Sequence, residues 1–233
     1  MINDLRTSLA RHKYGWAIFL ILSVATVFCI LVLRVRMLVS DTAHYTFLVW
    51  NLFLAWIPFG IALGTYLTAL SRRTLMILIP AATLLWLLFF PNAPYILTDL
   101  QHLGQRAGEA PIWYDVIMLI WFAWTGLLLG VISLYLMQEL VRREFGRLFG
   151  WLFVLSVAGL SSAGVYIGRF IRWNSWDMLQ HPLGTTVQLM NYAIDPSLRS
   201  IGFIGLYTLF FIFIYMTLYA FGQLLQERSE STR

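Results

Sequence analysis

Three short stretches of an otherwise apolar chain gather the residues that could do chemistry. Asp41 and His44, Asp99 and His102, and Asp177 and His181 form Asp/His pairs, at separations of three or four that place both side chains on one face of a helix. A carboxylate beside an imidazole can act as a base with its orienting acid, or can ligate zinc or manganese. The catalytic candidates are therefore Asp99, His102, Asp115 and Asp177, and the metal candidates are Asp99, His102, Asp177 and His181. A divalent metal is the sole cofactor these residues suggest. No phosphate-binding loop, dinucleotide fingerprint, serine elbow or cysteine cluster accompanies them.

A second chemistry is anion capture. Arg169 and Arg172 lie in the run Tyr166-Ile167-Gly168-Arg169-Phe170-Ile171-Arg172-Trp173-Asn174-Ser175-Trp176-Asp177, and the arginine fork suits a carboxylate or phosphate. A helix continued through this run aligns Ser162, Tyr166 and Arg169, with Arg172 one turn on. Arg169, Arg172, Trp173, Asn174 and Trp176, with Asn92 and Tyr95, are the ligand-binding candidates for an anionic or polar amphiphile. The competing expectation is internal: both arginines pair with Asp99, Asp115 or Asp177 and lock the loops together.

The elements that must position these residues cross a membrane. Of 233 residues, 60% are hydrophobic and 12% charged, against roughly half and a quarter for a soluble domain. Disorder, a disulfide scaffold and a nucleic-acid-binding module are excluded. The lone Cys29 lies in an apolar run and cannot form an intramolecular disulfide. Six stretches approach the ~20 apolar residues needed to span: 14–33, 45–70, 74–90, 116–137, 149–168 and 201–221. The predicted fold is an all-α six-transmembrane bundle forming a single polytopic domain over residues 1–233. Its first span, after Arg6, Arg11 and Lys13, reads as an uncleaved signal anchor.

With the N-terminus inside, the inner segments hold ten cations: Arg6, Arg11, Lys13, Arg72, Arg73, Arg142, Arg143, Arg147, Arg228 and Arg233. The outer segments hold six: Arg34, Arg36, Arg106, Arg169, Arg172 and Arg199. The bias predicts a membrane protein with both termini in the cytoplasm. The chain's net charge of +5 is then topology. The balanced outer charges form the candidate site, served by long loops over 91–115 and 169–200. The span centres carry no ionisable group and no histidine, which argues against a proton relay, a charged ion path or a haem cytochrome.

The third span is short and ends at Phe90-Pro91-Asn92-Ala93-Pro94-Tyr95-Ile96-Leu97-Thr98-Asp99-Leu100. Two prolines three apart break the helix, and Pro94 suits the first turn of a new one. On that short amphipathic helix an α register puts Tyr95, Asp99 and His102 on one face, with Ile96, Leu100 and Leu103 opposite. Pro58 and Pro80 are expected to kink spans two and three. Gly60/Gly64, Gly126/Gly130 and Gly164/Gly168 are small-residue pairs that let helices approach, with a homo-oligomer through those faces as the minor alternative.

The run FPNAPYILTDL with His102, then Ile112-Trp113-Tyr114-Asp115, then Arg172-Trp173-Asn174-Ser175-Trp176-Asp177 resembles the domain-of-unknown-function 1361 family of bacterial multi-pass membrane proteins. The likeness runs roughly from Trp50 onward. It implies a polytopic inner-membrane protein, supplies no catalytic residues, and suggests that Pro91, Asn92, Pro94, Tyr95, Asp99, Asp115, Arg172, Asn174 and Asp177 belong to one constellation. Three functions follow as expectations: an outward vestibule binding or transporting an anionic or polar amphiphile such as a lipid, an outer-leaflet enzyme using an Asp/His or metal site, and a structural or assembly partner.

Overall fold

The computed structural model describes residues 13–68, 72–103, 110–172 and 196–231. Its elements are α1 (Lys13–Ser40), α2 (Phe47–Thr68), α3 (Arg72–Phe89), the short α4 (Asn92–Tyr95), a 3-10 helix (Ile96–His102), α5 (Ile112–Phe145), α6 (Arg147–Tyr166), a π turn (Ile167–Ile171) and α7 (Leu198–Ser231). No strand occurs among the described residues. Six segments are long and apolar enough to cross a membrane: Gly15–Ser40, Phe47–Leu67, Pro80–His102, Ile112–Phe145, Arg147–Ile171 and Leu198–Leu225.

Every apolar run forms a helix because no other single segment satisfies its own backbone in hydrocarbon. The helices overrun those runs where charge begins. α1 continues through Arg34 and Arg36 to Ser40, and α5 covers Asp115 at one end and Arg143 at the other. Pro58 and Pro80 lie inside continuous helices. Six spans alternate in direction, so the bundle has an Asp99 end and a Glu139 end.

The central helix is α5. On one side it packs with α1, α2 and the α4/3-10 segment around Leu48, Leu52, Ile96, Met118 and Phe122. On the other it meets α3, α6 and α7 around Trp86, Phe90, Leu134, Val154 and Phe211. At the Glu139 end the α5–α6 turn passes through Gly146 at φ +91°, a conformation glycine adopts without Cβ strain. Its N–H closes α5 by donating to the Arg142 carbonyl at 2.9 Å.

The small residues of α5 and α6 serve the broken third span. A Cβ on Gly126 would lie 2.6 Å from Ile96 Cδ1 and 3.1 Å from the Ala93 carbonyl oxygen, and one on Gly164 would lie 2.7 Å from Pro91 Cγ. Gly130 faces Ala93. Gly126, Gly130 and Gly164 thus receive the Pro91–Ile96 turn, whereas a Cβ on Gly60 or Gly64 would meet nothing within 4 Å.

Candidate functional site

The break after Phe90 interrupts the helical ladder where hydrocarbon cannot solvate its carbonyls, and donors gather on them. Asn92 Nδ2 donates to the Phe89 carbonyl at 2.9 Å. The Tyr95 N–H donates to the Pro91 carbonyl at 3.0 Å, and the Thr98 hydroxyl to the Tyr95 carbonyl at 2.7 Å. Other helices supply the rest. From α7, the Tyr207 hydroxyl donates to the Pro94 carbonyl at 2.7 Å. The Tyr45 hydroxyl reaches the His102 carbonyl at 3.3 Å, and Arg169 donates to the Thr98 carbonyl.

The segment then tightens into a 3-10 helix, and this changes which residues face inward. At three residues per turn, positions i and i+3 eclipse, so Ile96 and Asp99 share the buried edge. The α register expected Asp99 on a polar face opposite Ile96; the structure puts both inside, with Asp99 only 1% exposed. His102 follows on the same edge, half-buried, its ring 5.1 Å from that of Phe47.

Asp99 is held from two sides. Arg169 Nη2 donates to Oδ1 at 3.0 Å, and Asn51 Nδ2 of α2 donates to Oδ2 at 2.8 Å. Arg169 also donates through Nη1 to the Tyr95 hydroxyl at 3.0 Å, and its guanidinium lies 5.1 Å over the Tyr95 ring. With its amide oxygen turned toward the arginine, Gln101 accepts from Nε at 3.0 Å. All three guanidinium nitrogens are engaged within the protein. The π turn accounts for this aim: the wider turn takes Arg169 out of line with Tyr166. Tyr166 stacks toward Phe170 and Phe203 at 4.8 and 5.7 Å.

Asp115 belongs to a different pair. Arg36 Nε donates to its Oδ1 at 2.7 Å and Nη2 to its Oδ2 at 3.3 Å, both side chains being buried. This two-pronged contact ties α1 to α5. Tyr45 joins the two networks: its ring lies 5.5 Å beneath Arg36 while its hydroxyl holds the end of the 3-10 helix. Beside them, the Tyr114 hydroxyl donates to the Val32 carbonyl at 2.8 Å.

Arg172 closes the π turn with φ +64° and is exposed. Arg199, at the start of α7, is exposed and lies 5.3 Å over the Phe170 ring. Among the described residues neither has a carboxylate partner. From Phe170 the rings of Phe203 and Tyr207 continue inward at 5.2 and 5.5 Å steps between α6 and α7.

Of the candidates read from sequence, Asn92, Tyr95, Asp99 and Arg169 meet at this end, and His102 stands at its rim. Asp115 meets Arg36 instead. Trp173, Asn174, Trp176, Asp177 and His181 lie outside the described residues. Among the described residues no group of three or more His, Cys, Asp or Glu could hold a metal.

Sequence reasoning missed Arg36, Asn51, Tyr45 and Tyr207. Arg36 carried a signal, as a cation just past an apolar run on the side where the charge bias disfavours it. Asn51 carried another, being the only Asn or Gln within residues 45–70.

No curated protein and no solved structure matches the chain. A family model described as Protein of unknown function (DUF1361) matches residues 50–220. That stretch holds α3, the broken turn with Asp99, and the Asn51 and Arg169 that clasp it, and the chain belongs to the DUF1361 family.

Proposed function

We propose that this multi-pass protein sits in a bacterial inner membrane with both termini in the cytoplasm and holds an anionic or polar amphiphile at its Asp99 end. The observation that carries the reading is Arg199 lying 5.3 Å over the Phe170 ring, with the exposed Arg172 two residues further along the chain. Neither cation has a carboxylate partner among the described residues, and from Phe170 an aromatic ladder descends along α7. Positive charge above apolar rings is the chemistry of a head group above its chain. Arg169 serves this site as a support, because its own donors are spent on Tyr95, Thr98, Gln101 and Asp99. The orientation is supported by Arg142, Arg143 and Arg147 gathering at the opposite end.

A structural role for the buried network is favoured by its closure. Both oxygens of Asp99 and both of Asp115 accept hydrogen bonds from protein donors, which supports a clamp over an acid or base in an outer-leaflet enzyme. Native mass spectrometry of the lipids retained by Arg172→Ala and Arg199→Ala tests the amphiphile reading. Reduced retention of anionic lipid is expected, and retention equal to wild type rejects it.

A further inference from the structure

The Glu139 end carries a second cluster that the amphiphile reading leaves unused. On α5, Asp115 and Glu139 are 24 positions apart (139 minus 115), about 36 Å along the axis. A hydrocarbon core is about 30 Å thick, so the two carboxylates bracket it and Glu139 stands at the depth of lipid phosphates. There one carboxylate holds two arginines: Arg142 Nη2 reaches Oε2 at 2.9 Å and Arg143 Nε reaches Oε1 at 3.2 Å. One positive charge is left over, fixed in place yet open, since the arginines are 42% and 48% exposed.

Two further contacts pre-arrange the pair. Arg143 Nη2 donates to the Tyr66 hydroxyl of α2 at 2.7 Å, which leaves the hydroxyl proton of Tyr66 to donate outward. Gly150 brings α6 against the Arg142 stem, where a Cβ would lie 3.3 Å from Arg142 Cβ. One turn deeper, Tyr135 faces lipid below Glu139, and its ring lies 6.2 Å from that of Tyr219 on α7.

We propose that Arg142, Arg143 and Tyr66 form a site for the phosphodiester of an anionic phospholipid in the leaflet at this end, with an acyl chain along Tyr135 and Tyr219. The site is separate from Arg172 and Arg199. Its depth and its partly exposed aromatic floor commit it to a lipid over a dissolved phosphate.

The test uses the full chain in nanodiscs of phosphatidylethanolamine with a minor share of phosphatidylglycerol, followed by native mass spectrometry of retained lipid. Wild type is expected to retain phosphatidylglycerol preferentially. Arg142→Gln and Arg143→Gln should each lower that preference on the order of fivefold. Tyr66→Phe keeps every charge and should lower it as well. It also stands in if an arginine variant fails to fold. An unchanged preference in all variants overturns the site. So does a loss confined to the arginine variants, which would show diffuse attraction without a built pocket. Release of phosphatidylglycerol by excess inorganic phosphate overturns the lipid assignment. Arg172→Ala should leave the effect of these variants intact, so failure at one end is distinguishable from failure at the other.

Discussion

Replacing Arg169 by methionine removes the guanidinium and keeps most of its bulk. The side chain is 9% exposed and Asp99 1%, so the loss leaves a buried carboxylate with Asn51 as its remaining hydrogen-bond donor. Breaking a buried pair from one side costs about 3–5 kcal/mol. For a chain of this length that lowers the unfolding midpoint by on the order of 6–20 °C. Asp99→Leu should cost a similar amount, because it strands the charge of Arg169 beside Tyr95. The double variant strands no charge and leaves mainly the Asn51 amide without its partner, about 1–3 kcal/mol. It should therefore be more stable than the sum of the singles, with a coupling of at least about 3 kcal/mol. Detergent-titrated unfolding of all four proteins in mixed micelles measures the cycle. Single variants within about 1 kcal/mol of wild type, with no coupling, would refute the closed clamp and return Arg169 to the set of groups free to meet a ligand.

Arg36→Leu should destabilise by about 3–5 kcal/mol by stranding Asp115, whereas Arg34→Leu, at an exposed position, should change stability by less than about 0.5 kcal/mol; thermal unfolding separates them. Gly164→Ala drives a Cβ into the rigid Pro91 ring and should cost about 1–3 kcal/mol, while Gly60→Ala, with open space around it, should be neutral or stabilising by up to about 1 kcal/mol. Tyr207→Phe deletes the donor to the Pro94 carbonyl and should cost about 1–3 kcal/mol, read in the same assay. For orientation, Arg172→Cys should react with a membrane-impermeant thiol reagent in intact cells and Arg147→Cys only after permeabilisation, Cys29 being fully buried; the opposite pattern would invert the topology.

The six spans were legible because length and apolarity are local properties, and the helix break was legible because two prolines leave the chain little choice. What followed the break was not. An α register and a 3-10 register differ by one residue in four, and that difference decides whether Asp99 faces water or Ile96's side of the core. Nothing in Ile96–His102 selects between them. The choice comes from Gly126 and Gly130 across the interface, which admit the turn closely enough for Ile96 to lock against α5. Arg169 was visible as a cation near Asp99's end of the bundle, but its aim depends on a π turn that sequence spacing does not announce. Arg36 was hidden by a boundary: ending the first span at residue 33 turned a buried ion-pair partner into a flanking charge. The glycine pairs of α5 and α6 were legible as close-packing positions; that they receive a turn and not a long helix was not.

The polar residues at the Asp99 end are accounted for by the break itself. An unpaired carbonyl in hydrocarbon costs several kcal/mol, and the Pro91–His102 segment presents several at once. Asn92 and Thr98 satisfy those within reach of their own segment. Tyr207, Arg169 and Tyr45 add donors from outside the segment to the Pro94, Thr98 and His102 carbonyls. A long donor such as arginine carries its charge with it, and Asp99 neutralises that charge on the spot. Of the catalytic candidates read from sequence, Asp99 is thereby given a role that the break itself requires. A ligand at this end must be met by groups the break does not consume, and among the described cations those include Arg34, Arg172 and Arg199, of which Arg199 lies over the Phe170 ring.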